Sequence, residues 1–232
     1  MHVRLTFDIE PDCPPYLRSY RGIGEGVPTL LWLLREHDAS ATFFVTGEVA
    51  RRFPDTVRRI VDEGHELGCH GDSHTRFSAL SPQSARREIE EASASLRRSA
   101  EVRSFRAPNL DFPDSYLPFL RDAGYTVDSS QGLHKLRGWT REVTITDGVR
   151  RVPASISPSA LRLPRVVRDA LLPMLGEAPV LFFHPWEFVD LRRARVPMDC
   201  RFRTGEAAVD SLRSLIRYYR GRDARFVPIS HA

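Results

Sequence analysis

The sequence predicts an α/β fold with a mostly parallel sheet, because short apolar runs alternate with helix-like segments along its 232 residues. Such alternation is typical of βαβ units, whose parallel strands form an open sheet or close into a barrel. No repeat, low-complexity tract or linker interrupts the pattern. We therefore predict a single domain over 1–232, long enough to bury a sizeable core.

The predicted strands are short. The segment 3–7 alternates, with Val3, Leu5 and Phe7 on one face. The segment 40–45 is a continuous apolar run, as expected of a strand buried on both faces. The other predicted strands are 65–69, 102–106, 125–129, 179–184 and 225–229.

The clearest predicted helix is 81–98, where Ser81 can cap the first turn, Pro82 suits that turn and apolar residues recur at helical spacing. Further helices are predicted at 26–37, 53–64, 113–123 and 205–220. The segments 22–26 (GIGEG) and 188–203 are expected to be loops, and 129–165 to hold an inserted hairpin or long loops.

Composition narrows the class of protein. Hydrophobic residues make up 41% of the chain and charged residues 28%, which is ordinary for a soluble globular protein. No apolar window is long enough for a transmembrane segment, and the amino-terminal residues resemble a strand rather than a signal peptide, so we expect a cytoplasmic location. The net charge of +4 comes from scattered residues, mostly arginine, which argues against nucleic-acid binding.

The cysteines are few and widely spaced. Cys13, Cys69 and Cys200 indicate neither a disulfide framework nor a zinc knuckle. Cys69 lies on an apolar strand, so we expect it to be buried rather than to act as a nucleophile. The chain also lacks the Gly-x-Ser-x-Gly motif of serine hydrolases and the Gly-x4-Gly-Lys phosphate loop.

Polar motifs follow several of the predicted strands. In parallel α/β folds the carboxyl ends of the strands and the loops after them form the site, so these motifs should meet at one edge. In the first motif, Asp8 and Glu10 share parity and point the same way. The motifs are TFDIE (6–10), CHGDSH (69–74), FRAPN (105–109), VDSS (127–130) and FFHPWE (182–187).

His70 and His74 are the strongest candidates for metal ligands. They lie four residues apart, directly after a strand and outside any amphipathic helix. Two imidazoles and one carboxylate are a common catalytic zinc set, which leaves a coordination position open for water and substrate. A second carboxylate is then free to act as general base, and His184, from another strand end, could protonate the leaving group.

The set and order of these motifs resemble the polysaccharide deacetylase family, which contains the NodB homology domain and forms carbohydrate esterase family four. The resemblance runs from residue 3 to about 190. It implies a distorted (β/α)7 barrel of NodB type, a divalent metal, most simply Zn²⁺, and hydrolysis of N-acetyl or O-acetyl groups on a sugar or polysaccharide precursor.

The resemblance also implies roles for individual residues. His70 and His74 match the metal ligands, Asp8 the catalytic base and Arg106 the residue that orients that base. His184 matches the acid. In addition, Asp128 matches the residue that orients this acid, and Pro108 and Trp186 are expected to contact substrate.

One position departs from the usual pattern, because Ile9 stands where the family carries a second Asp that binds metal. A branch with Asp-x-Glu and an HPWE-like ending places this ligand one residue later, at Glu10. The same branch resembles metal-free cyclic amidases of the allantoinase type, so a metal-free variant stays open.

Three interpretations of the function remain. The first is a metal-dependent deacetylase of an N-acetylated sugar, and the second is a cyclic amidase or a deformylase of a lipid-linked sugar. The third, a non-catalytic carbohydrate-binding protein, is weakened because every residue needed for the chemistry is present. The loop 188–203 carries several arginines, of which Arg192 is one, and guanidinium forks suit a phosphate or other acid on the substrate.

Overall fold

The computed structural model describes residues 1–132 and 143–231. In these residues the strands form one mixed sheet in which nearly every pairing is parallel. The strands are β1 (His2–Ile9), β2 (Ala41–Val45), β3 (Glu66–Cys69), β4 (Ser104–Phe105), β5 (Val127–Asp128), β6 (Thr144–Thr146), β7 (Val149–Arg151), β8 (Val180–Phe183) and β9 (Arg225–Phe226).

The order of the strands places β1 between β2 and the edge strand β8. It runs β6, β7, β5, β4, β3, β2, β1, β8, with β9 paired beside β1. Phe7 is in register with Phe43 of β2 and with Phe183 of β8, so these three strands end at the same edge. The polar motifs that follow the strands are thereby brought to one side of the molecule.

The sheet curls rather than lying flat. Single parallel bridges join Gly132 to Ala154 and Ile156 to Leu181, so the chain after β7 reaches across to β8 at the opposite edge of the sheet. This curled, mostly parallel sheet confirms the predicted α/β fold of distorted-barrel type.

The helices are α1 (Val27–Glu36), α2 (Gly47–Arg52), α3 (Pro54–Asp62), α4 (Pro82–Leu96), α5 (Leu117–Asp122), α6 (Pro158–Leu161), α7 (Arg165–Leu171), α8 (Met198–Arg201) and α9 (Glu206–Arg220). The predicted helices match α1, α3, α4, α5 and α9 to within a few residues. In α4 the Ser81 hydroxyl accepts a hydrogen bond from the amide of Ser84, as the predicted cap requires.

Three local predictions need correction. The GIGEG segment, expected to be a loop, forms a π-helical turn that runs into α1, because Asp12 accepts hydrogen bonds from the amides of Arg21 and Gly22 where the turn begins. The short helices α2, α6 and α7 were not predicted, and α8 interrupts the segment 188–203. These helices have only four to seven residues, which is too short for apolar residues to show the helical period in the sequence.

The region 129–165 contains the predicted hairpin, formed by antiparallel pairing of β6 with β7. The part of this prediction that concerns 133–142 lies outside the described residues.

Cys69 is fully buried, and burial raises the pKa of its thiol to about 11, which agrees with the packing role expected of it.

Candidate active site

A cavity of about 1010 Å³ opens where the strands end. It is lined by side chains from three separate strand ends: Asp8 and Glu10 after β1, His70 and His74 after β3, and His184 after β8. The sequence separates the first and last of these groups by more than half the chain. The parallel register brings them together, as the rule for strand ends predicts.

Glu10, His70 and His74 form a compact cluster of possible metal ligands, whose ligand atoms all lie within 4.8 Å of one another. Oε2 of Glu10 lies 3.3 Å from Nε2 of His70 and 2.5 Å from Nε2 of His74. Burial alone would raise the pKa of Glu10, but His74, His184 and His70 outweigh it and hold this pKa well below its usual value. The buried carboxylate therefore stays charged and faces two imidazoles.

The ring of His70 is oriented by the backbone. Its Nδ1 lies 2.7 Å from the carbonyl oxygen of Arg106, which can only accept, so Nδ1 donates there and Nε2 is directed at Glu10. A histidine that binds metal through one nitrogen commonly donates from the other in this way. The chemistry of the donor set therefore fits a divalent cation such as Zn²⁺.

The loop that carries the two histidines is shaped by its backbone and held from outside. Gly71 has a φ of +73° and His74 a φ of +58°, so the chain turns sharply between the two ligands. The carboxylate of Glu88, on α4, accepts hydrogen bonds from the amides of Asp72 and Ser73 at 2.9 and 3.0 Å. Glu88 thus secures the middle of the loop without entering the cavity.

Asp8 is bound to the fully buried Arg106, whose Nη1 donates to Oδ1 of Asp8 at 2.8 Å. The guanidinium also donates to the hydroxyls of Thr6 and Ser129 and lies 4.3 Å from the ring centroid of Phe44. These contacts leave Arg106 little freedom. They hold Oδ1 of Asp8, a residue that lines the cavity.

His184 is held by Glu187, three residues further on. Nδ1 of His184 lies 2.7 Å from Oε1 of Glu187, and Trp186 stacks on the imidazole with ring centroids 4.8 Å apart. The Trp186 indole also donates to Oε1 of Glu10 at 3.2 Å. Burial would lower the pKa of His184, but the carboxylates of Glu10 and Glu187 outweigh burial and raise it to about 9.

The prediction that Asp128 orients His184 needs correction. Oδ1 of Asp128 accepts from the amide and hydroxyl of Ser130, and Oδ2 accepts from Nε of Arg151 at 3.0 Å. Burial raises the pKa of Asp128, although Arg151 opposes this. Asp128 is therefore part of a buried ion pair, and Glu187 holds the position expected for it. Glu187 is the last residue of the HPWE motif at 184–187. The spacing of the motifs alone did not predict its contact with His184.

Of the three predicted substrate contacts, only Trp186 is among the residues that line this cavity, and contact of Pro108 and Arg192 with substrate stays a prediction. The fork of Arg192 is bonded to Asp190 at 2.9 and 2.7 Å, is largely exposed and does not line the cavity. Pro108 is buried and packs beside Gly71, where an added Cβ atom would lie 3.5 Å from its ring. Trp186 does line the cavity. Arg192 lies outside the cavity lining, and its guanidinium is paired with the carboxylate of Asp190 two residues before it.

The curled parallel sheet and the polar cluster at its carboxyl edge define a distorted α/β barrel with a candidate metal site. The family model described as polysaccharide deacetylase matches residues 1–127. The chain is 33% identical over 169 residues to a chitooligosaccharide deacetylase from Sinorhizobium fredii, a match that covers 69% of this chain and 70% of that protein. The chain therefore belongs to the polysaccharide deacetylase family.

Two other comparisons agree. The chain is 37% identical over 98 residues to a peptidoglycan-N-acetylglucosamine deacetylase from Bacillus cereus, a match that spans 42% of this chain but only 32% of that protein. A crystal structure of a Mycobacterium smegmatis protein assigned to the polysaccharide deacetylases superposes with a TM-score of 0.73 at 21% identity, covering 99% of this chain and 87% of that one. This likeness concerns the fold.

Proposed function

We propose that this protein is a metal-dependent hydrolase that removes an N-acetyl group from a sugar or a polysaccharide precursor. The observation that supports the proposal most directly is the convergence of Glu10, His70 and His74 in one cavity with Asp8 and His184. The similarity to deacetylases of chitooligosaccharides and of peptidoglycan N-acetylglucosamine supports the same class of substrate.

Glu10, His70 and His74 would hold the divalent cation, which we expect to be Zn²⁺. When bound, such a cation lowers the pKa of water and polarises an acyl carbonyl. Three protein ligands leave a coordination position open, as hydrolysis requires.

Asp8 and His184 supply the proton transfers. Asp8, held by Arg106 through Oδ1, accepts a proton from the attacking water, because it lines the cavity. His184 donates a proton to the sugar nitrogen as the carbon–nitrogen bond breaks, since its Nε2 faces the cluster while Nδ1 is bound to Glu187. Trp186 forms an apolar wall beside the acid.

The test is metal analysis of the purified protein followed by assays of acetate release from N-acetylated chitooligosaccharides. We expect about one bound Zn²⁺ per chain, loss of acetate release in chelator, and recovery on adding Zn²⁺. Full activity in chelator on a cyclic amide such as allantoin, with none on acetylated sugars, would replace this proposal with the metal-free amidase.

The acid that is released, formate or acetate, distinguishes the deformylase alternative from the proposed deacetylase. Parallel assays for formate and acetate, on N-formylated and N-acetylated forms of the same sugar, show which acyl group the cavity accepts. Release of formate alone would contradict the assignment to N-acetyl groups while leaving the metal site intact.

A further inference from the structure

The buried guanidinium of Arg162 lines the same cavity as the proposed acid and contacts the carboxylate of Glu187. Arg162 follows α6 directly, and only 1% of its side chain is exposed. Its Nε lies 2.7 Å from Oε2 of Glu187, and the other oxygen of the same carboxylate contacts His184. A chain of charged contacts therefore runs from Arg162 through Glu187 to His184.

The rest of the guanidinium is bound by backbone carbonyls around α8. Nη2 donates to the carbonyl of Asp199 at 2.7 Å, while Nη1 donates to the carbonyl of Phe202 and approaches that of Cys200 at 3.5 Å. A planar fork with this many partners cannot rotate without losing several hydrogen bonds at once. Arg162 is thus a fixed point between α8 and the carboxylate of Glu187.

A gain in folding stability does not by itself explain the buried pair of Arg162 and Glu187. Removing two charges from water carries a desolvation cost, and apolar residues of similar volume often replace a buried ion pair without loss of stability. Glu187 is fully buried, and the part of the chain that the structure describes gives it two cationic neighbours, Arg162 and His184. Arg162 keeps this carboxylate in place whether or not the imidazole carries its proton.

We propose that Arg162 is a positioning residue for the proton donor. It fixes Glu187, which in turn fixes the ring of His184 so that Nε2 faces the leaving nitrogen. This inference rests on the proposed function, because it assumes that His184 is the acid. Arg162 acts through Glu187, and its contribution should therefore appear only in reactions whose leaving group needs a proton.

The experiment compares two substrates in the zinc-loaded protein. An amine must be protonated to leave an N-acetylated chitooligosaccharide, whereas 4-nitrophenolate leaves 4-nitrophenyl acetate without a proton. We expect Arg162→Lys to lower kcat on the acetylated sugar by a factor on the order of 10² with KM nearly unchanged. Rates on the aryl ester should stay within about twofold of wild type, and zinc content should not change.

Two controls separate positioning from general damage. Arg168 is buried to the same extent but bonds Ser211 and Asp169 and does not line the cavity, so Arg168→Lys should affect both substrates equally. Combining Arg162→Lys with His184→Ala should lose no more amide activity than His184→Ala alone, because a missing acid cannot be positioned.

If Arg162→Lys does not fold, a double variant tests the same inference. Replacing both partners, as Arg162→Met with Glu187→Met, removes the buried carboxylate together with its arginine, so neither of these two charges is left without the other. The double variant should show the same loss confined to the amide. Equal losses on both substrates in Arg162→Lys and in this double variant would overturn the inference. A wild-type protein inactive on the acetylated sugar would instead refute the proposed function.

Discussion

The carboxylates of the site differ in their partners, and the partners suit each carboxylate to a different role. Asp8 meets an arginine, Glu10 meets the imidazoles of His70 and His74, and Glu187 meets the imidazole of His184. An acid between two imidazole nitrogens is suited to bind a cation, whereas an acid held through one oxygen is suited to accept a proton at the other. Single substitutions should therefore separate metal binding from turnover.

The two acids after β1 provide the first test. Glu10→Gln should lose most of the bound zinc, because the amide is a much poorer ligand than the carboxylate beside the two histidines. Asp8→Asn should retain zinc and lower kcat by a factor on the order of 10² to 10⁴. Zinc content by atomic emission and acetate release check both. Zinc loss in Asp8→Asn with retention in Glu10→Gln would reverse the assigned roles.

Glu187 should set the alkaline limit of activity. The proposed acid is active while His184 is protonated, and the carboxylates of Glu10 and Glu187 favour that form by raising the pKa of His184. Glu187→Gln keeps a hydrogen-bond acceptor but removes the charge, so the pKa should fall. The alkaline limb of kcat/KM should then move to lower pH.

Asp128→Asn is the matched control for the pH profile, since Asp128 contacts Arg151 and Ser130 instead of His184. Its alkaline limb should coincide with that of the wild type. A shift in Asp128→Asn and none in Glu187→Gln would restore the role that sequence resemblance gave to Asp128.

At the scale of elements, the site depends on how loops are tied to the helices beside them. The loop after β3 carries both histidines, and α4 holds it through the carboxylate of Glu88. The loop after β8 carries the acid, and Glu187 closes it by accepting from the amide of His184 at 2.9 Å. In both loops a carboxylate satisfies backbone amides that would otherwise lack partners.

Removing Glu88 should therefore weaken the metal site without removing a ligand. We expect Glu88→Ala to lower zinc affinity by about 10- to 100-fold, the usual range for residues that orient metal ligands. Competition with a chromogenic chelator measures this. Glu90→Ala, two residues along the same helix at an exposed position, should leave the affinity unchanged. Equal affinities in both variants would show that the loop holds its shape without α4.

At the scale of the whole molecule, β1 joins the core to the site. Its apolar face packs into the core, where Phe7 lies 5.0 Å from Phe43 and 6.1 Å from Phe183 between ring centroids. The next residue along the strand is Asp8, on the opposite face. One strand thus supplies core packing and Asp8, and Glu10 follows directly after its end. In the described residues no helix is long and apolar enough to cross a bilayer.

Truncating this strand in the core should be costly. Phe7→Ala should lower the free energy of unfolding by about 3–5 kcal/mol, because the ring is fully buried and leaves a cavity between neighbouring strands. Urea unfolding followed by circular dichroism measures the change. Val166→Ala, at an 86% exposed position of α7, should stay within about 0.5 kcal/mol of wild type. Similar stabilities for the two variants would contradict a central packing role for β1.

The sequence by itself determined the class of fold and the positions of the main elements. The alternation in β1 and the periods of α4 and α9 are local signals, because burial of one face of a strand or helix requires them. It also predicted the candidate ligand pair, since His70 and His74 lie within one loop. Short elements such as α2 and α6 gave no such signal.

The tertiary structure alone decided which distant groups meet. The motifs predicted Asp128 as the partner of His184, but pairing of β5 with β7 places Arg151 beside Asp128, and Glu187 contacts His184 instead. Arg162 had no signal in the sequence, because its neighbours come from Glu187 and from the backbone around α8. Local sequence patterns determine whether a segment forms a helix or a strand. Pairing across the sheet determines which charged side chains are buried together. The proposed mechanism depends on these buried charge pairs.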